Sequence, residues 1–339
     1  MKAISRRTFI QQTSVAGLGL GLSANWPVVD HRLLDKGIPV GIIGLDTSHS
    51  IAFTKLLNDK EAGPEYGDYR VVAAYPHGSA DIVSSVSRIP GYTKEIKELG
   101  VKVVDSISEL LKQVEVVLLE TNDGRLHLTQ ALEVFEAGKP MFIDKPVAAS
   151  LRDTLKIYQA AAESKASTFS ASSLRYIKFG QEIRSGELIG KVLGADTYSP
   201  AKLEATHPDL FWYGIHGVEA LYTVMRGGCQ MVKRFHNSGT DIVVGEWSEG
   251  RVGTFRGTRT GKHLYGGTAY GENGNHVLGP YNGYAPLVKA FIEFFQTGKS
   301  PVSAEETIEI YAFMEAADES KRREGKEVSL AEVIEMAKG

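Results

Sequence analysis

Three groups of residues carry side chains able to do chemistry. The first is Lys145, which follows the apolar run Met141-Phe142-Ile143 and Asp144 and precedes Pro146. Such a run reads as a short buried strand. Pro146 biases Lys145 away from helical angles. The ammonium is therefore held at the carboxyl end of a strand, where open α/β sheets bind ligands. It can donate to a reacting oxygen and stabilise charge that develops there. The second group is His216 with Glu219, in the stretch Phe211-Trp212-Tyr213-Gly214-Ile215-His216-Gly217-Val218-Glu219. Three apart, the two share a helix face. The acid can orient the imidazole and raise its basicity for proton transfer, with the Tyr213 hydroxyl as a substitute. The third is Gly44-Leu45-Asp46-Thr47-Ser48-His49. Its hydroxyls and imidazole stand where a helix N-terminus would favour phosphate.

Alternating strands and helices must position these groups. Ile38 to Gly44 reads as a buried strand, Ile51 to Leu57 as a helix and Val71 to Tyr75 as a second strand. A short strand spans Val101 to Val104, with Ser106 or Ser108 capping the helix that follows. Val114 to Leu119 is another buried strand. The helix Leu126 to Ala137 ends at Gly138, which suits a left-handed cap. The alternation and short connections predict an α/β fold with a doubly wound parallel sheet over residues 37–148. From residue 149 to 330 the pattern changes. Ser150 can cap a helix from Leu151 to Glu163, and a strand spans Ala166 to Ser172. Strands then follow in series at Val192 to Tyr198, Met231 to Phe235, Ile242 to Trp247 and Arg251 to Arg256, with weaker signals at His263 to Tyr270 and Val277-Leu278. That order predicts a mostly antiparallel sheet. Pro286 to Gln296 is amphipathic, with Val288, Phe291, Ile292 and Phe295 on one face, and Ala304 to Arg323 is a long helix.

Ala137-Gly138-Lys139-Pro140 ahead of Asp144-Lys145-Pro146 resembles the Ala-Gly-Lys-x-x-x-x-Glu-Lys-Pro signature of the glucose–fructose oxidoreductase, inositol dehydrogenase and rhizopine-catabolism (Gfo/Idh/MocA) family, with Asp144 in place of Glu. Ser185-Gly186-Glu187-Leu188-Ile189-Gly190-Lys191-Val192 resembles a later turn of the same family. The resemblance implies a Rossmann domain joined to a C-terminal α/β domain. It also implies that Lys145 contacts the substrate oxygen whose carbon exchanges hydride with NAD or NADP. It places Glu120, Thr121 and Asn122 beside the nicotinamide and its ribose, and His127 at the start of the next helix. His216 matches the family's proton-moving His, although Trp212 stands for its first Asp and Glu219 for its last. Relatives often pair through the open face of the second sheet, which implies a homo-oligomer. The fingerprint departs from the family. Of Gly-x-Gly-x-x-Gly only Gly44 is present, with Asp46 and His49 at the other positions. A carboxylate near a phosphate is repulsive by about 4 kcal/mol at 4 Å for an effective dielectric near 20. Asp46 can instead cap the following helix, worth ~1 kcal/mol. Thr47, Ser48 and His49 can donate to a displaced phosphate. The ribose-binding acid is replaced by Tyr75-Pro76-His77-Gly78-Ser79, in which His77 and Ser79 suit a 2′-phosphate.

The chain has 339 residues, 42% hydrophobic and 23% charged, with a net charge of −3. Scattered Lys and Arg point to no nucleic-acid partner. The single cysteine, Cys229, excludes an intrachain disulfide and reads as a packed small residue. His207, Asp209, His216 and Glu219 lie close in sequence but match no standard zinc spacing, so no metal is expected. Ser5-Arg6-Arg7-Thr8-Phe9-Ile10, ahead of the apolar stretch Val15 to Leu22, resembles a twin-arginine signal. It implies a twin-arginine translocon partner and a periplasmic or otherwise exported protein. The leading expectation is an exported NAD(P)-dependent oxidoreductase on a sugar, polyol or glycoside, with its dinucleotide tightly bound. The alternatives are a sugar-binding protein that has lost the nucleotide and a lyase or hydrolase using Lys145 and His216 as acid–base groups.

Overall fold

The computed structural model describes residues 37–339 apart from 60, 62 and 263. The twin-arginine-like segment and its apolar stretch lie outside the described residues. The first half runs β1 (Ile38–Ile43), α1 (Ser48–Asn58), β2 (Tyr69–Tyr75), β3 (Lys102–Val103), β4 (Val116–Leu119), α2 (His127–Glu136), β5 (Met141–Ile143), α3 (Leu151–Ser164) and β6 (Thr168–Ser170). The six strands form one sheet in the order β3-β2-β1-β4-β5-β6, parallel throughout. This is the doubly wound order. All four residues of β4, Val-Val-Leu-Leu, are buried, the composition of a strand covered on both faces.

Register aligns the strand ends. Ile43 pairs with Tyr75 and Leu119, Leu119 with Ile143, and Ile143 with Ser170. Gly44, Glu120 and Asp144, each one residue further, therefore share one crest. Gly44 has φ +93°, and a Cβ there would lie 2.5 Å from the Thr121 backbone. Only glycine lets the turns after β1 and β4 close this tightly. Local signals hold at the caps. Ser150 accepts the Asp153 N–H at 3.0 Å, Ser106 accepts the Glu109 N–H at 3.1 Å, and Gly138 has φ +66°.

The sequence put the strand near 166–172 in a second domain starting at residue 149. Instead α3 carries the chain back to the first sheet, where β6 pairs with β5. The first sheet thus runs past residue 148. Its edge strand looked unattached because its short apolar core, Phe169, names no partner.

The second half comprises β7 (Val192–Pro200), α4 (Ile215–Met225), β8 (Cys229–His236), β9 (Thr240–Trp247), β10 (Val252–Thr258), β11 (Gly266–Gly271), β12 (Gly274–Leu278), α5 (Ala285–Thr297), α6 (Ala304–Arg322) and β13 (Val328–Ser329). The sheet order is β12-β11-β7-β10-β9-β8-β13. Only the β7–β10 pair is parallel. A Cβ on Gly217 would come 2.3 Å from Phe255 Cε2, so glycine lets α4 lie directly on β10. Leu287, Val288, Phe291, Ile292 and Phe294 of α5 share a core with Val40, Ile42, Phe53, Phe142 and Phe169 of the first half. The amphipathic helix read from sequence therefore seals the first sheet. Cys229 is buried and free. Among the described residues no helix is long and apolar enough to cross a membrane.

Candidate active site

A cavity of about 280 Å³ opens at the crest of the first sheet and reaches the second half. Its walls include Thr47, Ser48 and His49 from the start of α1, Asn122 from the turn after β4, and Lys145 from the turn after β5. Tyr213, from the helical turn Leu210–Gly214, and His216, from the first turn of α4, complete the lining on the side of the second half. Seven of the residues singled out in the sequence thus meet in one place. Ser84, Arg88, Ser173, Lys202, Trp212, Tyr265, Tyr281 and Tyr284 also line the cavity. These were missed as lining, although the Tyr281-x-x-Tyr284 spacing offers a faint signal of one aromatic face.

No Asp or Glu lines the cavity, whereas Lys145, Arg88 and Lys202 do. A concave site with one sign of charge favours an anionic ligand or group. The aromatic walls touch one another, with Tyr265 and Tyr281 centroids 5.8 Å apart and His49 and Tyr284 4.7 Å apart. Such rings offer apolar faces with polar tips, which suits a ring-shaped polar ligand.

Asp46 does not cap α1. Thr47 does, through its hydroxyl and the His49 N–H at 3.5 Å. Asp46 is wholly buried and accepts from the Asn122 N–H at 2.9 Å and the Ser79 N–H at 3.1 Å. Its carboxylate ties the turn after β2 to the turn after β4, beneath the cavity floor. Burial pushes this carboxyl above its ordinary range, against the pull of the two N–H groups. The carboxylate therefore stands inside the fold and is not among the cavity-lining residues. Ser79 is buried too and spends its hydroxyl on Asp81 and Asp123 at 3.0 and 2.8 Å, so it has no group for a 2′-phosphate.

Gly44, Thr121 and His127 are also buried rather than cavity-lining. His127 Nε2 lies 2.6 Å from the Thr121 carbonyl and Nδ1 lies 3.1 Å from the Val147 carbonyl. It clamps the turn after β4 to the loop behind Lys145. The residues that do reach the cavity fit a dinucleotide laid along the crest. Thr47, Ser48 and the start of α1 can hold a phosphate and Arg88 a further anionic group, with Asn122 and Lys145 in the same lining.

Glu219 does not orient His216. Its carboxylate pairs with the Arg175 guanidinium, which also reaches Glu306 at 2.8 Å. Burial pushes the Glu219 carboxyl up, with Arg175 opposing. The partner of His216 is Ser172, whose hydroxyl lies 2.7 Å from Nδ1. The four residues grouped in sequence as possible metal ligands are also kept apart. Asp209 pairs with Arg234 at 2.8 Å and Lys321 at 2.6 Å, and His207 accepts from the Gly124 N–H at 3.2 Å.

His127, His207 and His216 are all held below the ordinary histidine value of 6.5, chiefly by burial, and His216 also by Lys145 and His49. As pH falls below about 6.5 the unfolded chain takes up protons first, so stability present above that pH is lost below it. The imidazole signals of these three residues should therefore titrate below pH 6.5 when followed by NMR. Titration of the rings at or above that value would mean that they are charged in the fold near neutral pH.

Residues 39–171 match the model of the Gfo/Idh/MocA family, described as an oxidoreductase family with an NAD-binding Rossmann fold. No curated protein matches the chain. Among solved structures, a probable dehydrogenase from Thermotoga maritima is similar at 18% identity and TM-score 0.71, covering 87% of this chain and 100% of that one. A myo-inositol dehydrogenase from Lactobacillus casei, in complex with NAD(H) and myo-inositol, has 15% identity and TM-score 0.68, covering 86% and 96%. A scyllo-inositol dehydrogenase from the same organism, with NAD(H) and scyllo-inositol, has 16% identity and TM-score 0.67, covering 87% and 100%. At these identities the likeness is one of fold.

Proposed function

We propose, from residues 39–171 that match the model of the Gfo/Idh/MocA oxidoreductase family, that this protein is an NAD(P)-dependent oxidoreductase acting on a sugar, polyol or glycoside. The observation that carries the reading is the cavity that joins the start of α1, Asn122 and Lys145 to His216 and Tyr213. A bound nicotinamide would supply hydride acceptance or donation. The chain supplies the rest. Lys145 donates to the reacting oxygen and stabilises negative charge on it. His216, neutral and steadied by Ser172, takes the hydroxyl proton in oxidation and returns it in reduction, with Tyr213 as the alternative. Thr47, Ser48 and Arg88 hold phosphate, and the tyrosines bracket the substrate.

A second reading rests on Asp46, which uses the Asn122 and Ser79 N–H groups to lock the crest. Those donors are then closed to a pyrophosphate, as in a nucleotide-free acid–base or sugar-binding protein. Extracting purified protein for nucleotide, and titrating it with oxidised and reduced NAD and NADP, separates the two. Bound nucleotide or saturable binding is expected. A nucleotide-free protein that ignores millimolar cofactor yet binds a sugar would replace the first reading with the second.

Export is part of the proposal and rests on Ser5-Arg6-Arg7-Thr8-Phe9. An enzyme outside the cytoplasm has no free cofactor pool, so it would retain its dinucleotide and be reoxidised by a second substrate. Changing Arg6 and Arg7 to Lys should hold the precursor in the cytoplasm, and unchanged export would end the twin-arginine assignment. Self-association is proposed through the open face of the second sheet, where Val277 is 60% and Phe235 56% exposed.

A further inference from the structure

Three side chains that the proposed hydride chemistry does not use as a group meet beside the cavity, His49 in its wall and Glu120 and Asp144 outside its lining. Glu120 follows β4, Asp144 follows β5, and His49 sits in the first turn of α1. Each has a ligand atom within 4.8 Å of the other two. Relative exposures are 0% for Glu120, 2% for Asp144 and 7% for His49. His49 Nδ1 lies 2.6 Å from Asp144 Oδ2, and Lys145 Nζ lies 3.6 Å from the same oxygen. Both oxygens of Glu120 and Oδ1 of Asp144 are buried without a hydrogen-bond partner. A buried polar atom left unmade costs roughly 1–3 kcal/mol, and more when charged. The His49 imidazole and the Lys145 ammonium crowd one oxygen of Asp144, while three carboxylate oxygens have no partner.

We propose that His49, Glu120 and Asp144 bind a divalent first-row transition cation such as manganese or zinc, directly behind Lys145. The donor set supports this class. Imidazole with carboxylates suits zinc, iron and manganese, whereas magnesium and calcium favour oxygen alone. Bonds of about 2.0–2.2 Å to such donors require Glu120 to draw in and the His49–Asp144 contact of 2.6 Å to open with release of the proton it shares. The cation satisfies the orphaned oxygens and balances the buried acids. Three protein donors leave a position for water or a ligand oxygen, and the cavity lies on the His49 side. The rival explanation is a proton on Glu120, since burial and Asp144 both push its carboxyl well up. The proposal rests on this cluster and is independent of nucleotide binding.

The test uses the full chain purified without chelator. Elemental analysis should find close to one equivalent of manganese, iron or zinc, removable by a chelator. Returning Mn²⁺ or Zn²⁺ to the stripped protein should raise its melting temperature. Glu120→Gln keeps the shape and should lower affinity for added Mn²⁺ by more than the roughly 10–100-fold that loss of an outer partner costs. Should that variant fail to fold, Co²⁺ added to stripped wild type should give the visible absorption of an oxygen and nitrogen site. Metal-free protein whose melting temperature ignores Mn²⁺, Zn²⁺ and chelator, with no Co²⁺ spectrum, would overturn the proposal in favour of the proton. Because none of these readouts involves a nucleotide, a negative result leaves the oxidoreductase reading standing, and loss of that reading leaves the cation site standing.

Discussion

Replacing Lys145 with Met should lower kcat, measured per folded molecule, by about 10²-fold or more. The figure follows from the usual cost of removing one electrostatic donor from a site that stabilises developing charge, roughly 2.7–4 kcal/mol. Met retains most of the stem, and Lys145 is only 8% exposed, so packing in the loop is largely kept. What goes is the ammonium, which lines the cavity and stands 3.6 Å from Asp144. An interaction made mainly in the transition state lowers kcat and kcat/KM together. If Lys145 only anchored ground-state substrate, KM would rise and kcat would hold. Wild-type turnover in the variant would remove the lysine from the chemistry.

Much of the frame behind Lys145 was legible because it depends on local pattern. Met141-Phe142-Ile143 reads as a buried strand whatever surrounds it, and Ser150 and Gly138 mark caps by their own chemistry. The crest follows from register. Once the strands end in one row, the start of α1, Asn122 and Lys145 must be neighbours. What stayed hidden depends on partners distant in sequence. Phe169 could not announce its place beside Phe142, nor the face of α5 that covers both. Asp46 reads as a helix cap from its position before a helix, but two amides 33 and 76 residues away hold it. Glu120 directly follows an apolar strand, and the resemblance places it with Thr121 and Asn122 beside a nicotinamide rather than under the crest. Its burial appears only when Asp144 and α1 close over it. Tyr265, Tyr281 and Tyr284 flank the strands Gly266–Gly271 and Gly274–Leu278 outside any amphipathic element, so only the Tyr281-x-x-Tyr284 spacing hints at them. Glu219 misled for a related reason. Helical spacing says which residues share a face, but not what faces them.

Glu219 provides the other large effect, and it falls on stability. Arg175 is 2% exposed and its guanidinium reaches both Glu219 and Glu306, while Glu306 also holds Arg184 at 2.7 Å. Removing one partner of a buried ion pair usually costs about 3–5 kcal/mol, because the other charge stays buried and uncompensated. Glu306 still faces Arg175, so Glu219→Ala should fall near the lower end. Denaturant unfolding should show it as a lower midpoint. Changing Arg175→Met and Glu219→Leu together should recover most of the loss, since replacing a whole buried pair with apolar side chains is often neutral. Activity should divide the other way. His216→Ala removes a proton-transfer group and should cost roughly 10²–10⁴-fold in kcat, whereas Glu219→Ala, measured per folded molecule, should stay within a small factor of wild type. The pH dependence adds a separate check, because His216 takes its orientation from Ser172. Ser172→Ala should alter the proton-transfer limb of the rate profile, and Glu219→Ala should not. A Glu219→Ala protein of normal stability that had lost turnover as heavily as His216→Ala would return the acid to the side of the imidazole and make Arg175 the bystander.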